Sequence, residues 1–156
     1  MRALALTAAA TLAADQALKW YVVVTLDLAN ELFIEVWPPF LNLAMAWNRG
    51  VNFGLFAGDS DVARWVLIGL ALAICVWVIR WARAEPGNHG MQIATGLLVG
   101  GALGNVIDRI RWGAVADFLN MSCCGWQNPW AFNLADIAIF VGAFGLIMTA
   151  GRKNAP

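Results

Sequence analysis

Histidine is nearly missing from this chain: His89 is the only one in 156 residues. It lies in "EPGNHG", a short polar break between two apolar runs. A zinc site needs His or Cys at ligand spacing, and none appears, so no metal and no cofactor is expected. A Ser-His-Asp triad would have to take His89 as its base. The topology argued below places His89 on the side opposite the chain's conspicuous acids. Cysteine is scarce as well, with three residues. Cys75 sits in an apolar run and reads as a small buried or lipid-facing residue. Cys123 and Cys124 are adjacent, which makes a bond between them geometrically strained, so no pairing is expected. Charge of either sign is thin. Asp, Glu, Lys and Arg make up 13% of the chain and the formal net charge is zero, which leaves no basic surface for nucleic acid. The glycines near residue 100 lack a following Lys-Ser/Thr, so there is no phosphate loop. Internal repeats and low-complexity tracts are absent.

What the chain has is apolar length. Hydrophobic residues make up 61%, against ~45–50% in an ordinary soluble domain. Four apolar runs, roughly 3–26, 62–82, 91–110 and 131–150, each approach the ~20 residues that cross a bilayer. The expectation is an all-α membrane protein with four transmembrane helices, forming one domain over residues 1–156. The first run is too long for a signal-peptide core, carries Asp15 and Lys19, and lacks a convincing cleavage site, so it reads as a retained helix. Nine tryptophans suit the lipid–water interfaces.

Basic residues set the orientation. Arg2, Arg80, Arg83, Arg152 and Lys153 flank one side. The connection between the first two runs holds Asp27, Glu31, Glu35, Asp59 and Asp61 against Arg49 and Arg64. The positive-inside rule then puts both termini and the short second-to-third loop in the cytoplasm. The connections at about 27–61 and 111–130 face outside. The first of these contains two strand-like runs, Phe33–Trp37 and Phe40–Trp47, broken by Pro38-Pro39, and predicts a small outer hairpin or sheet.

An Asp at the centre of a spanning helix costs roughly 2.5–3.5 kcal/mol on insertion scales. Such residues face the bundle interior and are functional candidates by default. Asp15 and Lys19 are four apart, share a helix face and can pair. Gly96, Gly100 and Gly104 form a small-residue face that lets another backbone approach. Gly101, Asn105, Asp108 and Arg109 follow on the neighbouring face. Asp108 is expected to pair with its neighbour Arg109. Arg109 itself could snorkel to headgroups or clamp a carbonyl or phosphate. Asp117 follows the third run, and Asp136 lies three residues after Asn133 on what reads as one face of the fourth. If the connection between runs three and four folds back, Asp117 meets Asp136. Two carboxylates at close range share a proton, so one can activate water while the other protonates a leaving group. An ion path or a packing scaffold would use the same polar residues. An ion path predicts acids spread through the membrane depth, whereas those of runs three and four crowd at one end.

Five blocks stand in order: "DQALK" at 15–19, "NRGVNFGLF" at 48–56, "GGALGNVIDRI" at 100–110, "GAVADFLN" at 113–120 and "FNLADIAI" at 132–139. Together they resemble the lipoprotein signal peptidase, or signal peptidase II, family. The resemblance implies an aspartic endopeptidase of the bacterial inner membrane. It implies substrates that are diacylglyceryl-modified prolipoproteins, cut just before the lipidated cysteine, with membrane lipid as surroundings and a monomer as the expected state. It makes Asp117 and Asp136 the catalytic dyad. It places Asn48, Gly101, Asn105, Arg109 and Asn133 along the site or on substrate, and gives Asp15 and Lys19 a supporting role. A small outer β-cradle and a surface helix belong to the same expectation. The second block departs from the family pattern at Val51 and Asn52, where Ala-Ala is usual.

Overall fold

The computed structural model describes residues 1–50, 60–126 and 128–150. Val51, Asn52, Asp59, Arg152 and Lys153 lie outside the described residues. Helix α1 (Arg2–Lys19) continues into a wider π-helical turn, Trp20–Thr25, so the first apolar run changes pitch directly after Lys19. A one-turn helix α2 (Leu28–Glu31) leads to strands β1 (Phe33–Trp37) and β2 (Leu41–Asn48). Two long helices follow, α3 (Ser60–Ala84) and α4 (His89–Trp112), then strand β3 (Val115–Met121) and helix α5 (Leu134–Ala150).

The helix ends follow local chemistry. The Asn88 side chain accepts the Met91 N–H at 2.9 Å and starts α4, satisfying one of the orphan donors of a first turn. Gly113 ends it in the left-handed region at φ 75°, with its N–H on the Arg109 carbonyl, a conformation that costs glycine little. Thr95 and Thr149 return their hydroxyls to the carbonyls four residues earlier, which keeps these two hydroxyls paired inside their helices.

Asp61–Ala84 and His89–Trp112 are long and apolar enough to cross a membrane, and Leu134–Thr149 is a shorter apolar helix. The fourth run thus begins as helix at Leu134 rather than near 131. Helix α4 is the centre of the bundle. A Cβ at Gly96 or Gly100 would come within 2.6–2.7 Å of carbonyls on α1. A Cβ at Gly101 would lie 2.5 Å from the Ala135 carbonyl oxygen of α5. The glycines therefore seat α1 against one face of α4 and α5 against another, as small residues do between membrane helices. Leu4, Cys75, Val78, Ala82, Met91, Leu98 and Leu146 form a core shared by α1, α3, α4 and α5. The outward faces are apolar instead. Trp65, Leu70, Trp77, Phe140, Phe144 and Ile147 are all exposed. In water such helix faces would be an aggregation liability; lipid is the solvent that accepts them.

The sheet is antiparallel in the order β1-β2-β3. Its hairpin turn carries the cis Pro38-Pro39 bond. The predicted strands are present, and β3 is a third that the sequence reading missed. Phe118 lies fully buried with Val22, Leu28 and Leu43, which anchors the sheet on the end of α1. The loop after β3 contains a disulfide between Cys123 and Cys124, against the expectation that these neighbours stay unpaired.

Candidate active site

The site is assembled where β3 meets the start of α5. Leu119 and Phe132 pair as a short bridge, Leu119 N–H to the Phe132 carbonyl at 2.8 Å and Phe132 N–H to the Leu119 carbonyl at 3.1 Å. That pairing folds the connection back and brings Asn133 beside Asp117. Asn133 is fully buried and donates through Nδ2 to Asp117 Oδ1 at 2.6 Å. It also caps α5. Its Oδ1 accepts the Asp136 N–H at 2.9 Å, and Asp136 Oδ2 accepts the Asn133 N–H at 3.3 Å. This is a reciprocal capping box, which satisfies two orphan donors of the helix start. The three-residue spacing thus marks a cap rather than a shared helix face. One asparagine therefore reaches both acids, the Asp117 carboxyl through its side chain and the Asp136 carboxyl through its backbone N–H.

Further amides complete the ring. Asn48 Nδ2 donates to Asp117 Oδ2 at 3.0 Å. Asn105 Nδ2 donates to Asp136 Oδ1 at 2.9 Å, and Asn105 Oδ1 accepts from Asn133 Nδ2 at 3.3 Å. Arg109 donates through Nη1 to the Asn105 carbonyl at 3.3 Å, and its charge is close enough to act on Asp117, Asp136 and Asp108. Its Nε has no hydrogen-bond partner among the described residues. Asp117 is 3% exposed. Burial first, and the neighbouring Asp136 second, push its carboxyl up from 3.8 to about 6, against the lowering effect of the Asn48 and Asn133 hydrogen bonds.

Beneath the ring lies a buried ion cluster. Lys19 Nζ bonds Asp15 Oδ2 at 2.9 Å, Asp108 Oδ2 at 2.7 Å and Asn105 Oδ1 at 3.1 Å. All three ammonium donors are used. The Asp15–Lys19 pair forms as expected. The expected Asp108–Arg109 pair does not; the helix turn points Asp108 inward to Lys19, while Arg109 faces the acids. The cluster also reaches the two catalytic candidates through their backbones. Asp15 Oδ1 accepts the Ala135 N–H at 3.0 Å, and Asp108 Oδ2 accepts the Ala116 N–H at 3.2 Å. Each of these amides precedes one of the acids by a single residue. Gln16, with Nε2 on Asp15, Asp108 and the Gly104 carbonyl, joins the same cluster.

A sequence model of the signal peptidase (SPase) II family, Peptidase_A8, matches residues 7–151. The chain belongs to the signal peptidase II family. It is 40% identical over 142 residues to a lipoprotein signal peptidase of Methylobacterium sp. (strain 4-46), covering 91% of this chain and 84% of that protein. It is 39% identical over 143 residues to one of Serratia marcescens, covering 90% and 81%. Among solved structures it is similar to a bacterial membrane enzyme determined by the in meso method at 1.9 Å resolution. That match has a TM-score of 0.80 at 27% identity and covers 99% of this chain and 96% of that one. As a signal peptidase II the chain is a membrane protease that removes signal peptides from prolipoproteins.

In this signal peptidase, Asp117, Asp136, Asn48, Asn105 and Asn133 are joined by hydrogen bonds, and Arg109 stands over them through the Asn105 backbone. Gly101 sits apart, in the α4–α5 contact. Sequence reasoning missed three contributors: Gln16 and the backbone N–H groups of Ala116 and Ala135. A backbone donor has no sequence signal of its own. Its position beside each acid was the available hint.

Proposed function

We propose that this signal peptidase II is an aspartic endopeptidase whose dyad is Asp117 and Asp136, and that it cuts prolipoproteins just before the diacylglyceryl-modified cysteine. The observation that carries the reading is Asn133, whose side chain donates to the Asp117 carboxyl and accepts the Asp136 N–H while its own backbone N–H donates to the Asp136 carboxyl, at the junction of an apolar helix and the sheet. One carboxylate takes a proton from water as the water attacks the scissile carbonyl. The protonated partner hydrogen-bonds that carbonyl and then supplies the proton for the departing amine. No metal ion or nucleophilic side chain enters this sequence of steps.

The four apolar runs cross the bacterial inner membrane with both termini in the cytoplasm, and a single polypeptide forms one monomeric catalytic domain. The dyad then stands near the outer boundary. Acyl chains of the substrate stay in the bilayer while the peptide bond reaches the acids. Arg109 holds a substrate carbonyl or headgroup oxygen. Asn48, Asn105 and Asn133 orient the carboxyls with neutral hydrogen bonds, and the outer sheet supports the extended chain beyond the lipidated cysteine.

The test is cleavage of a diacylglyceryl-modified prolipoprotein by detergent-purified protein, with Asp117→Asn and Asp136→Asn alongside. Loss of turnover by orders of magnitude in both variants, with melting behaviour retained, supports the dyad. Residual cutting near the wild-type rate by either folded variant removes it.

A further inference from the structure

Arginines gather at the end of the bundle that carries the acids. The orientation proposed above puts that end outside, where basic residues are ordinarily few. Arg49, Arg64 and Arg111 converge there on one turn. Trp112 ends α4, and Gly113 and Ala114 lead into β3. A Cβ at Gly113 would lie 3.5 Å from Arg64 Nη1. A Cβ at Gly50 would strike Leu67, so the chain just after β2 packs on α3 within a turn of Arg64. Trp47, Arg49, Trp112 and Ala114 line a cavity of about 230 Å³. The Trp47 and Trp112 rings meet edge to face at 5.6 Å. The Arg111 guanidinium lies over the Trp112 ring at 4.8 Å and over Trp20 at 5.1 Å. We propose that this pocket binds the phosphodiester headgroup of an anionic phospholipid, with Arg49 and Arg64 on the phosphate oxygens and the two tryptophan rings as walls.

A guanidinium presents a planar fork of N–H donors that matches two phosphate oxygens. Arg64 Nε is buried and has no hydrogen-bond partner among the described residues. Its ion pair, Nη2 to Asp61 at 3.2 Å, is with a carboxylate that is 71% exposed, and water screens such a pair heavily. The carbonyl end of α4 is the competing explanation for the arginines. It is worth only about half a negative charge, and Arg109 and Arg111 already stand in that last turn. Arg49 and Arg64 exceed what the helix end requires. The cavity is below the ~300–1,000 Å³ of a drug-sized ligand site, so it suits a headgroup with its acyl chains left in the bilayer. Val66, Leu70, Ile107 and Ile110 are exposed on α3 and α4 within two turns of the arginines, and chains leaving the pocket can lie along them. That apolar continuation favours a lipid over free phosphate. A zwitterionic headgroup would add another cation to a site already rich in them, which favours an anionic lipid. Arg49 directly follows Asn48, whose amide donates to Asp117 and whose Oδ1 accepts the Gly50 N–H. A headgroup held on Arg49 therefore also braces the turn that presents Asn48.

The test is lipid retention by the detergent-purified full chain, counted by native mass spectrometry. Phosphatidylglycerol and phosphatidylcholine with identical acyl chains are titrated separately. The wild type should retain one phosphatidylglycerol at about tenfold lower concentration than phosphatidylcholine, the weight of one charge-assisted hydrogen bond. Arg49→Gln with Arg64→Gln should erase that difference. Arg80→Gln with Arg83→Gln, at the far end of α3, should leave it intact. Arg49 is exposed, so Arg49→Gln alone carries the test if the double variant does not fold, and should cut the preference by about threefold. Inorganic phosphate at the same concentration as the lipid should not displace it. Displacement would mean that the pocket takes free phosphate, and the lipid assignment falls. Equal retention of the two lipids by the wild type overturns the proposal. So does a preference that survives loss of Arg49 and Arg64, or one that disappears with Arg80 and Arg83 instead. No cleavage is measured, so the result stands apart from the dyad reading.

Discussion

Asp117→Asn should make the protein more resistant to heat as pH rises, while abolishing its activity. Asp117 is buried among amides and faces Asp136, and its carboxyl is pushed up from 3.8 to about 6. An acid whose folded-state value is raised binds more protons folded than unfolded across that interval. Stability is therefore highest below about pH 4 and falls as pH climbs toward and through about 6. A shift of about 2 units corresponds to a ceiling of about 3 kcal/mol, lost by pH 8. The neutral amide carries no such penalty. It does lose something pH-independent. Asp117 accepts Asn48 on one oxygen and Asn133 on the other, and an asparagine offers only one acceptor. That offset is about 1 kcal/mol and moves the whole curve without altering its slope. Nine tryptophans make intrinsic fluorescence a direct probe of melting in detergent. Between pH 4 and pH 8 the wild-type Tm should fall relative to the variant by about 5–10 °C on the soluble-domain scale. Parallel Tm curves for the two proteins would show that Asp117 ionises no less readily folded than unfolded, and the shared-proton argument would lose its physical basis.

Other outcomes are open to simple measurement. Arg109→Ala should lower kcat/KM by about 10–100-fold with little change in Tm, since Arg109 makes one long bond to the Asn105 carbonyl within the described residues and a lost charged contact in a site is worth ~1.5–3 kcal/mol; a Tm collapse with activity retained per folded molecule would make it structural. Gly101→Ala should destabilise by about 1–3 kcal/mol, because the new Cβ would lie 2.5 Å from the Ala135 carbonyl oxygen, whereas Gly69→Ala meets nothing within 4 Å and should be neutral or better in the same melt. Lys19→Met should cost about 3–5 kcal/mol by leaving Asp15 and Asp108 unpaired in the interior; recovery of most of that in the triple variant Asp15→Asn, Lys19→Met, Asp108→Asn is the check, and no recovery would mean that Lys19 matters through packing alone.

The four apolar runs, the β1–β2 hairpin and the Asp15–Lys19 pair were legible because each is a local pattern. Length, a Pro-Pro break and an i,i+4 spacing need no tertiary information. The third strand was not legible. Val115–Met121 is buried along most of its length, so it lacks the alternation that marks a half-exposed strand, and its partner β2 lies about seventy residues away in sequence. Asp108 was misassigned for a similar reason. Adjacent residues on a helix point about 100° apart, so Arg109 was a poor partner from the outset. The true partner, Lys19, lies on another helix. Family resemblance supplied the choice of Asp117 over Asp108 that local physics left open. The Asn133–Asp136 spacing was visible, but a three-residue interval fits both a helix face and a capping box. Only the helix start at Leu134 decides between them.

That the acids of the site and the ions beneath it form one connected set has a physical reason. A pair that must share a proton cannot be held by strong cations, because a direct salt bridge would fix the charge on one acid and release the proton. Neutral amides orient carboxyls without that bias, and Asn48, Asn105 and Asn133 do so here. Amides alone are weak anchors, however, and can turn. The cation is therefore one step removed. Lys19 grips the Asn105 oxygen, while Asp15 and Asp108 grip the Ala135 and Ala116 backbones beside each acid. Burying three charges costs several kcal/mol per ion unless they are fully paired, and in this cluster every Lys19 donor is met. The cost falls on α1, which makes no direct hydrogen bond to either acid among the described residues. On this argument, transplanting the ring of asparagines and acids without the α1 cluster would reproduce the contacts but not their orientation. A chimera carrying a neutral α1 face, with Asp108→Asn beside it so that no buried charge is stranded, should fold and cleave with a lower kcat/KM than the wild type.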